Sequence, residues 1–430
     1  MKLTTTISAL LLAYWFISGI LLASIIPPWA GEDELGHFGY AYNLYQSHRL
    51  WLGTDLIQSD PQVLAEFARY YPQDLDPNRP HVISTHYQPP AYYLLLAQLA
   101  RWLPQLSILQ LLYFWRYSNV VLTTIWATLI LKFVARQSAQ QASFLPWLFI
   151  SLLWFNPQLR LLNSQINSAN WDILLTTIVV LLSYRLAKQP TLAIVGTTTI
   201  VLLTSWLSRQ TTAFILPAVW LGLWQGACKV KLKRRQVALY LWMTLLPAII
   251  AWPILQHLSQ QVQLLPDSTT PLSLTWSRYL IQQLPRIRYD WLIGYWQEQV
   301  AMIPLWLPRF WLKFWQTVSG LGLFALLWRY RNRPAGWLRH DWIITLPSLT
   351  LMVGFLLIWD YLNLNTANQY WFKGRYLFSY ILPITQVVVS GWQWFVSTNR
   401  WVVLRTPIWL IWGSLTFISA VIELSLHWYL

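Results

Sequence analysis

Gly31-Glu32-Asp33-Glu34-Leu35-Gly36-His37-Phe38 sets three carboxylates and an imidazole directly after the first long apolar segment of this chain. Residues three and four apart are neighbours on a helix, so Asp33, Glu34 and His37 would share one face. A helix N-terminus favours the ionised form of a carboxylate. An ionised, partly desolvated carboxylate can take a proton from a hydroxyl. Capping alone explains one such acid, but three together exceed what a cap needs. Asp33 and Glu34 are therefore the candidate catalytic acids.

His37, and His86 farther along, carry the other chemistry of this stretch. With Glu34 they form a candidate set for a divalent metal ion of unspecified identity, since imidazole and carboxylate are common ligands. Interfacial histidines bonded to backbone are the competing reading. His37, His86, Gln88 and Asn167 are also candidate substrate contacts. Asn167 lies in Asn163-Ser-Gln-Ile-Asn-Ser-Ala-Asn170-Trp-Asp172. This run would either line a polar cavity or, more simply, cap the span that follows. Arg209, Lys373 and Arg375 sit where apolar segments end or begin and are candidate phosphate contacts, because a guanidinium grips phosphate through two parallel hydrogen bonds. Arg116 is placed similarly, and snorkelling toward headgroups explains it equally well.

The elements that must position these residues are membrane spans. The 430 residues are 56% hydrophobic and only 10% charged, a membrane composition. Eleven spans are predicted, near 5–27, 109–131, 143–156, 171–187, 191–208, 211–227, 237–256, 314–328, 342–360, 376–396 and 408–428. The first is read as a retained span and not a cleaved signal, because its apolar run is long and no small-residue cleavage site precedes Pro27-Pro28. The fold class is thus an all-α polytopic bundle in a single domain, 1–430. With a cytoplasmic N-terminus, the inner loops hold sixteen basic residues against one acidic residue, Asp341, while the other fourteen of each sign balance. The net charge of +15 is then a topology signal and not a nucleic-acid patch. A lone Cys228 leaves no disulfide framework.

Two long outer loops are predicted, at about 28–108 and 257–313. In the first, Phe38, Tyr42 and Tyr45 repeat as one face of a helix over 34–47. Residues 49–85 read as irregular. Pro90 suits the first turn of a second helix, 91–103, about 20 Å long. That helix is too short to span, and it carries Arg101 and Trp102 as an interfacial helix would. The second loop interleaves Trp and Arg, either to stack on sugar rings or as an interfacial belt.

Taken together, these residues resemble the polytopic GT-C glycosyltransferases, the superfamily of protein O-mannosyltransferases and lipid A aminoarabinose transferases. Its bacterial members show an acidic pair followed by His-Phe after the first span, here Asp33-Glu34-Leu35-Gly36-His37-Phe38. They show a Pro-Pro-aromatic element opening a juxtamembrane helix, here Gln88-Pro89-Pro90-Ala91-Tyr92-Tyr93. They also show Arg-Tyr-Leu near a late span start, here Arg375-Tyr376-Leu377. The lipid A enzymes carry Glu-Lys before the prolines, where this chain has Tyr87-Gln88. A metal-binding Glu and a phosphate-binding Lys are missing at that point.

The resemblance implies an inverting transfer of a sugar from a polyprenyl-phosphate donor to a glycan, lipid or protein hydroxyl. Asp33 would be the base and Arg375 a lipid-phosphate contact. It implies a bacterial plasma membrane, surrounding membrane lipids as partners and a site on the outer face. Two other classes remain: a lipid or solute transporter, and a surface-polysaccharide ligase or polymerase centred on Arg and His of the second loop.

Overall fold

A computed structural model describes residues 5–31, 33–49, 59–72, 85, 88–138, 145–262, 275–286, 299–300, 303–304, 317–324, 341–367 and 374–397. These residues are overwhelmingly helical. The only strands among them are a two-residue antiparallel pair, Gln299–Val300 with Ile303–Pro304.

Six segments are long and apolar enough to cross a bilayer. They lie in α1 (Thr5–Ile25), α5 (Ile108–Ser138), α8 (Ser168–Leu186), α10 (Leu216–Val230) with the 3-10 turn Gln210–Ile215 before it, α11 (Arg234–Val262) and α13 (Asp341–Ala367). Two shorter apolar helices accompany them: α9 (Leu192–Trp206), and the stretch Leu377–Trp392, which runs from the 3-10 helix Gly374–Tyr380 into α14 (Ile381–Ser397). The chain is a membrane helical bundle. Apolar side chains stand exposed on the outer faces of these helices at helical spacing, as in Ile17 and Leu21 of α1 or Val121 and Ile125 of α5. Such stripes suit contact with lipid tails.

The predicted span 143–156 takes a shorter form. It becomes α6 (Leu145–Trp154) followed by α7 (Pro157–Asn163). Ten residues rise about 15 Å, half of a hydrocarbon core of about 30 Å. Asn156 and Pro157 cause the break, because the Asn156 side chain accepts from the Leu159 N–H and caps a new helix with proline in its first turn. The 314–328 span is described only over 317–324, and the 408–428 span lies outside the described residues.

Two apolar cores form. The larger unites α1, α5, α6, α8 and α10. At its centre Trp15 meets Trp126 and Trp154, with ring centroids 5.4 and 5.1 Å away. Arg160 of α7 lies over the Trp15 ring at 4.0 Å. Gly222 and Gly226 on α10 let its backbone approach α8 closely. A Cβ on them would fall 2.4 Å from the Ser183 carbonyl oxygen and 1.9 Å from that of Leu186. This is the small-residue spacing that brings membrane helices together.

The smaller core packs α2 (Glu34–Ser47) on α4 (Ala91–Arg101). Both helices match the predicted ranges closely. Phe38, Tyr40, Tyr42, Tyr92, Tyr93 and Trp115 fill it. Trp102 directly after α4 is 74% exposed, as an interfacial anchor would be. The stretch read as irregular contains α3 (Pro61–Ala68). Asp60 caps that helix by accepting from the Gln62 N–H at 2.8 Å, and Pro61 pre-sets its first turn. α12 (Trp276–Arg286) falls within the stretch predicted as the second loop, its Tyr279 hydroxyl donating to Asp360 of α13 at 2.9 Å.

Candidate functional site

The acidic stretch is positioned by a tight turn between α1 and α2. Trp29 and Asp33 both adopt left-handed backbone conformations, with φ of 66° and 55°. Aspartate tolerates this region, while tryptophan is rarely found there. Asp33 occupies the N-cap position of α2, yet its side chain makes no capping hydrogen bond. The residue is exposed. Capping therefore does not explain its carboxylate.

Glu34 is the opposite case. Both it and Arg116 are 0% exposed. Arg116 Nε and Nη2 donate to Oε1 and Oε2 of Glu34 at 2.8 and 2.6 Å. The Gly31 and Ile166 N–H groups donate to the same carboxylate at 3.3 Å each. Arg116 also donates to the carbonyls of Ala23, Ile26 and Pro27. It neither snorkels to headgroups nor reaches toward a phosphate. The pair ties the end of α1, the start of α2, α5 and the turn after α7 into one knot. A carboxylate with every lone pair engaged and a cation held against it has no capacity for a reacting hydroxyl.

His37 is buried behind Asp33 and hydrogen-bonded at Nδ1 to the Tyr93 hydroxyl, 2.8 Å away. Tyr93 donates its proton to Gln88 Oε1 at 2.7 Å, and Ser168 Oγ donates to the same oxygen at 2.7 Å. The phenol has one proton, so His37 carries its own on Nδ1 and keeps Nε2 as an acceptor. Burial, reinforced by the Arg209 charge, pushes the His37 imidazole down to about 3. It is neutral at physiological pH. Burial likewise pushes the Tyr93 phenol well up, with Tyr40 and Tyr92 adding to the effect. Gln88, read as a substrate contact, thus joins α2, α4 and α8, and its backbone carbonyl accepts from Tyr40 at 3.1 Å.

α8 supplies the other wall. Asn167 caps it, accepting from the Ala169 N–H at 2.9 Å. Asn170 donates to the carbonyls of Leu162 and Gln165. Asn163 is buried, and neither polar atom of its amide has a hydrogen-bond partner among the described residues. One turn into α8, the buried Asp172 accepts from Ser379 and Thr176. Arg209 Nη1 stands 3.9 Å from its Oδ2. Ser379 belongs to the 3-10 helix Gly374–Tyr380, which also holds Arg375. The Ala91 N–H bonds the Leu207 carbonyl at 2.8 Å, which docks the start of α4 two residues before Arg209.

The structure therefore gathers Glu34, His37, Gln88, Asn167 and Arg209 at one end of the bundle, with Asp33 at the N-terminus of α2 beside them. His86 and Lys373 lie outside the described residues, as do Glu32 and the side chain of Arg375. Glu34 does not fit a divalent ion as it stands, because a metal there would have to displace the Arg116 fork. His37 has Nδ1 committed to Tyr93, which leaves Nε2 as its one ring atom able to meet a ligand. Among the described residues, no group of three or more His, Cys, Asp or Glu side chains converges as a metal site would.

Sequence reasoning did not anticipate Tyr93, Ser168 and Ser379 as members of this network. Arg116 as partner of Glu34 was equally hidden. Only the aromatic pair after Pro90 offered a signal for Tyr93. No family model, curated protein or solved structure matches this chain.

Proposed function

We propose that this protein is an integral-membrane glycosyltransferase that moves a sugar from a polyprenyl phosphate to an acceptor hydroxyl, with inversion and with Asp33 as base. The observation that carries this reading is the contrast at the N-terminus of α2. Asp33 is exposed and uses no oxygen for capping, in a turn with two left-handed residues. Unusual backbone of this kind clusters at working sites. The acid beside it is neutralised within the fold.

In this mechanism Asp33 takes the proton of the acceptor hydroxyl. The oxygen attacks the anomeric carbon, and the bond from that carbon to the phosphate oxygen breaks. The leaving phosphate keeps the electron pair. Arg209, with Arg375 and Lys373, stabilises its charge, so no acid is needed to protonate it. Glu34 and Arg116 fix the turn that carries Asp33 and are positioning residues. Asp172 and Ser379 orient Arg209 and the 3-10 helix of Arg375 toward each other. His37, Gln88 and Asn167, together with His86, border the acceptor path. No step is assigned to a metal.

The topology belongs to the same proposal. It has eleven spans, with α6 and α7 together making the third, a cytoplasmic N-terminus and the site on the outer face of a bacterial plasma membrane. The acceptor is a glycan, lipid or protein.

A lipid or solute transporter is the second reading, favoured by the buried Asp172 inside a span. Consumption of lipid-linked sugar in reconstituted membranes separates the two. Wild-type protein should consume donor, and Asp33→Asn should not, at unchanged expression and thermal stability. Donor turnover that survives Asp33→Asn removes the catalytic assignment.

A further inference from the structure

At the far end of α2 from Asp33, a cleft of about 760 Å³ opens between the end of α2, α3 and the segment leading into α5. Its size is that of a small-molecule site. Tyr42, nine residues beyond Asp33, borders it; on a helix this is about 13 Å away. The cleft is therefore separate from the proposed transfer site.

Its lining has two halves. Leu106, Ile108 and Leu109 form an apolar strip. The other side is polar and already organised. Gln46 Nε2 donates to the Tyr42 hydroxyl at 3.0 Å, and that hydroxyl donates to Gln62 Oε1 at 3.4 Å. Among the described residues, these bonds leave the Gln46 side-chain oxygen and the Gln62 amide protons unused. Tyr42 and Tyr45 are adjacent, with ring centroids 6.4 Å apart, and both line the cleft.

The cleft sets two arginines against one glutamate, with His48 also in its lining. Glu66 and Arg69 pair at 2.7 Å, and Arg101 spends its Nη2 on the carbonyls of Leu44 and Tyr45. Each guanidinium already holds a partner with which an anionic ligand would have to compete. A lipid tail would meet mostly polar groups. A pyranose, with an apolar C–H face and a rim of hydroxyls that both donate and accept, matches both halves.

We propose that this cleft binds a neutral sugar unit, as a glycan site distinct from the one around Asp33. The proposal rests on the cleft geometry alone and holds whether or not Asp33 is a catalytic base.

The test is saturation-transfer NMR on full-length protein in lipid nanodiscs, since a maltoside detergent would itself present a sugar. The probes are methyl hexopyranosides of gluco, galacto and manno configuration, with inorganic phosphate as the anionic control. At least one hexoside should bind and phosphate should not. The double variant Gln46→Ala, Gln62→Ala changes two exposed residues and should weaken that binding roughly tenfold, as expected for losing two hydrogen bonds of about 0.5–1.5 kcal/mol each. Tyr45→Leu should weaken it independently. Three outcomes overturn the proposal: no hexoside binds, binding is equal in both variants and wild type, or phosphate binds in a manner lost in Arg69→Ala.

Discussion

Asp33 and Glu34 are consecutive residues with opposite surroundings. Asp33 is exposed at the head of α2, whereas Glu34 is sealed against Arg116 by two hydrogen bonds of 2.8 and 2.6 Å. The two acids should therefore respond differently to substitution. Glu34→Ala leaves the Arg116 charge buried without its partner, which typically costs about 3–5 kcal/mol. A large fall in thermal stability is expected for Glu34→Ala and for Arg116→Ala, and none for Asp33→Asn. The double variant Glu34→Leu, Arg116→Leu should recover part of the loss, because it removes both charges. Equal melting temperatures for Glu34→Ala and wild type would contradict the knot described above.

His37 sets an acid limit on stability. Its folded imidazole titrates at about 3, below the ordinary value of about 6.5. Between these values the unfolded chain holds a proton that the folded chain does not. Stability is then complete above pH 6.5 and falls as pH drops toward 3, by at most about 1.4 kcal/mol per pH unit from this group. His37→Gln should flatten that part of a melting-temperature profile. An unchanged profile would mean that His37 protonates freely in the fold.

Arg209 and Arg375 are expected to act on the donor. A charge-assisted bond to phosphate contributes about 1.5–3 kcal/mol. Arg209→Ala or Arg375→Ala should therefore weaken donor use roughly ten- to hundredfold. Lysine should restore only part of this, since a point charge cannot copy the fork. Apparent donor affinity in reconstituted vesicles reads the effect, and an unchanged value for both alanine variants would remove the phosphate site.

The topology is open to a direct check. Cys228 is the only cysteine and is exposed, so a Cys228→Ser background is needed first. Gln62→Cys and Lys233→Cys should then label from opposite sides with a membrane-impermeant thiol reagent. Same-side labelling would refute the span count and move the site to the other face.

What could be read from the sequence was mostly local. The Phe38, Tyr42 and Tyr45 spacing marked α2, and Pro90 marked the start of α4, because side-chain period and proline geometry act within a few residues. α3 escaped because its apolar face is short and its signal is a single Asp60-Pro61 cap among polar neighbours. The break at Asn156-Pro157 was overridden by the hydrophobicity on either side of it. The candidate site was legible in its members but not in their roles. Glu34 and Asp33 look equivalent in sequence, and the arginine that distinguishes them lies 82 residues from Glu34. The same applies to Asp172 and Ser379, joined only by the packing of the 3-10 helix on α8. Long-range pairing of polar groups leaves no trace in the spacing of either partner.

The glycine seam between α8 and α10 limits how the site can open. The Gly222 and Gly226 backbone rests against the Ser183 and Leu186 carbonyls with no room for even a methyl group. These two helices therefore shift only as one rigid block, and Asp172 and the Asn167 cap travel with that block. Any hinge that admits a bulky donor must lie elsewhere. It falls to the α2–α4 pair, held to the block through Gln88 and Ser168 and to the end of α9 through the Ala91–Leu207 bond, or to the 3-10 helix held through Ser379. Each latch consists of a few hydrogen bonds that a sugar hydroxyl or a phosphate oxygen can replace, so an arriving substrate could release the latch that bars its own entry.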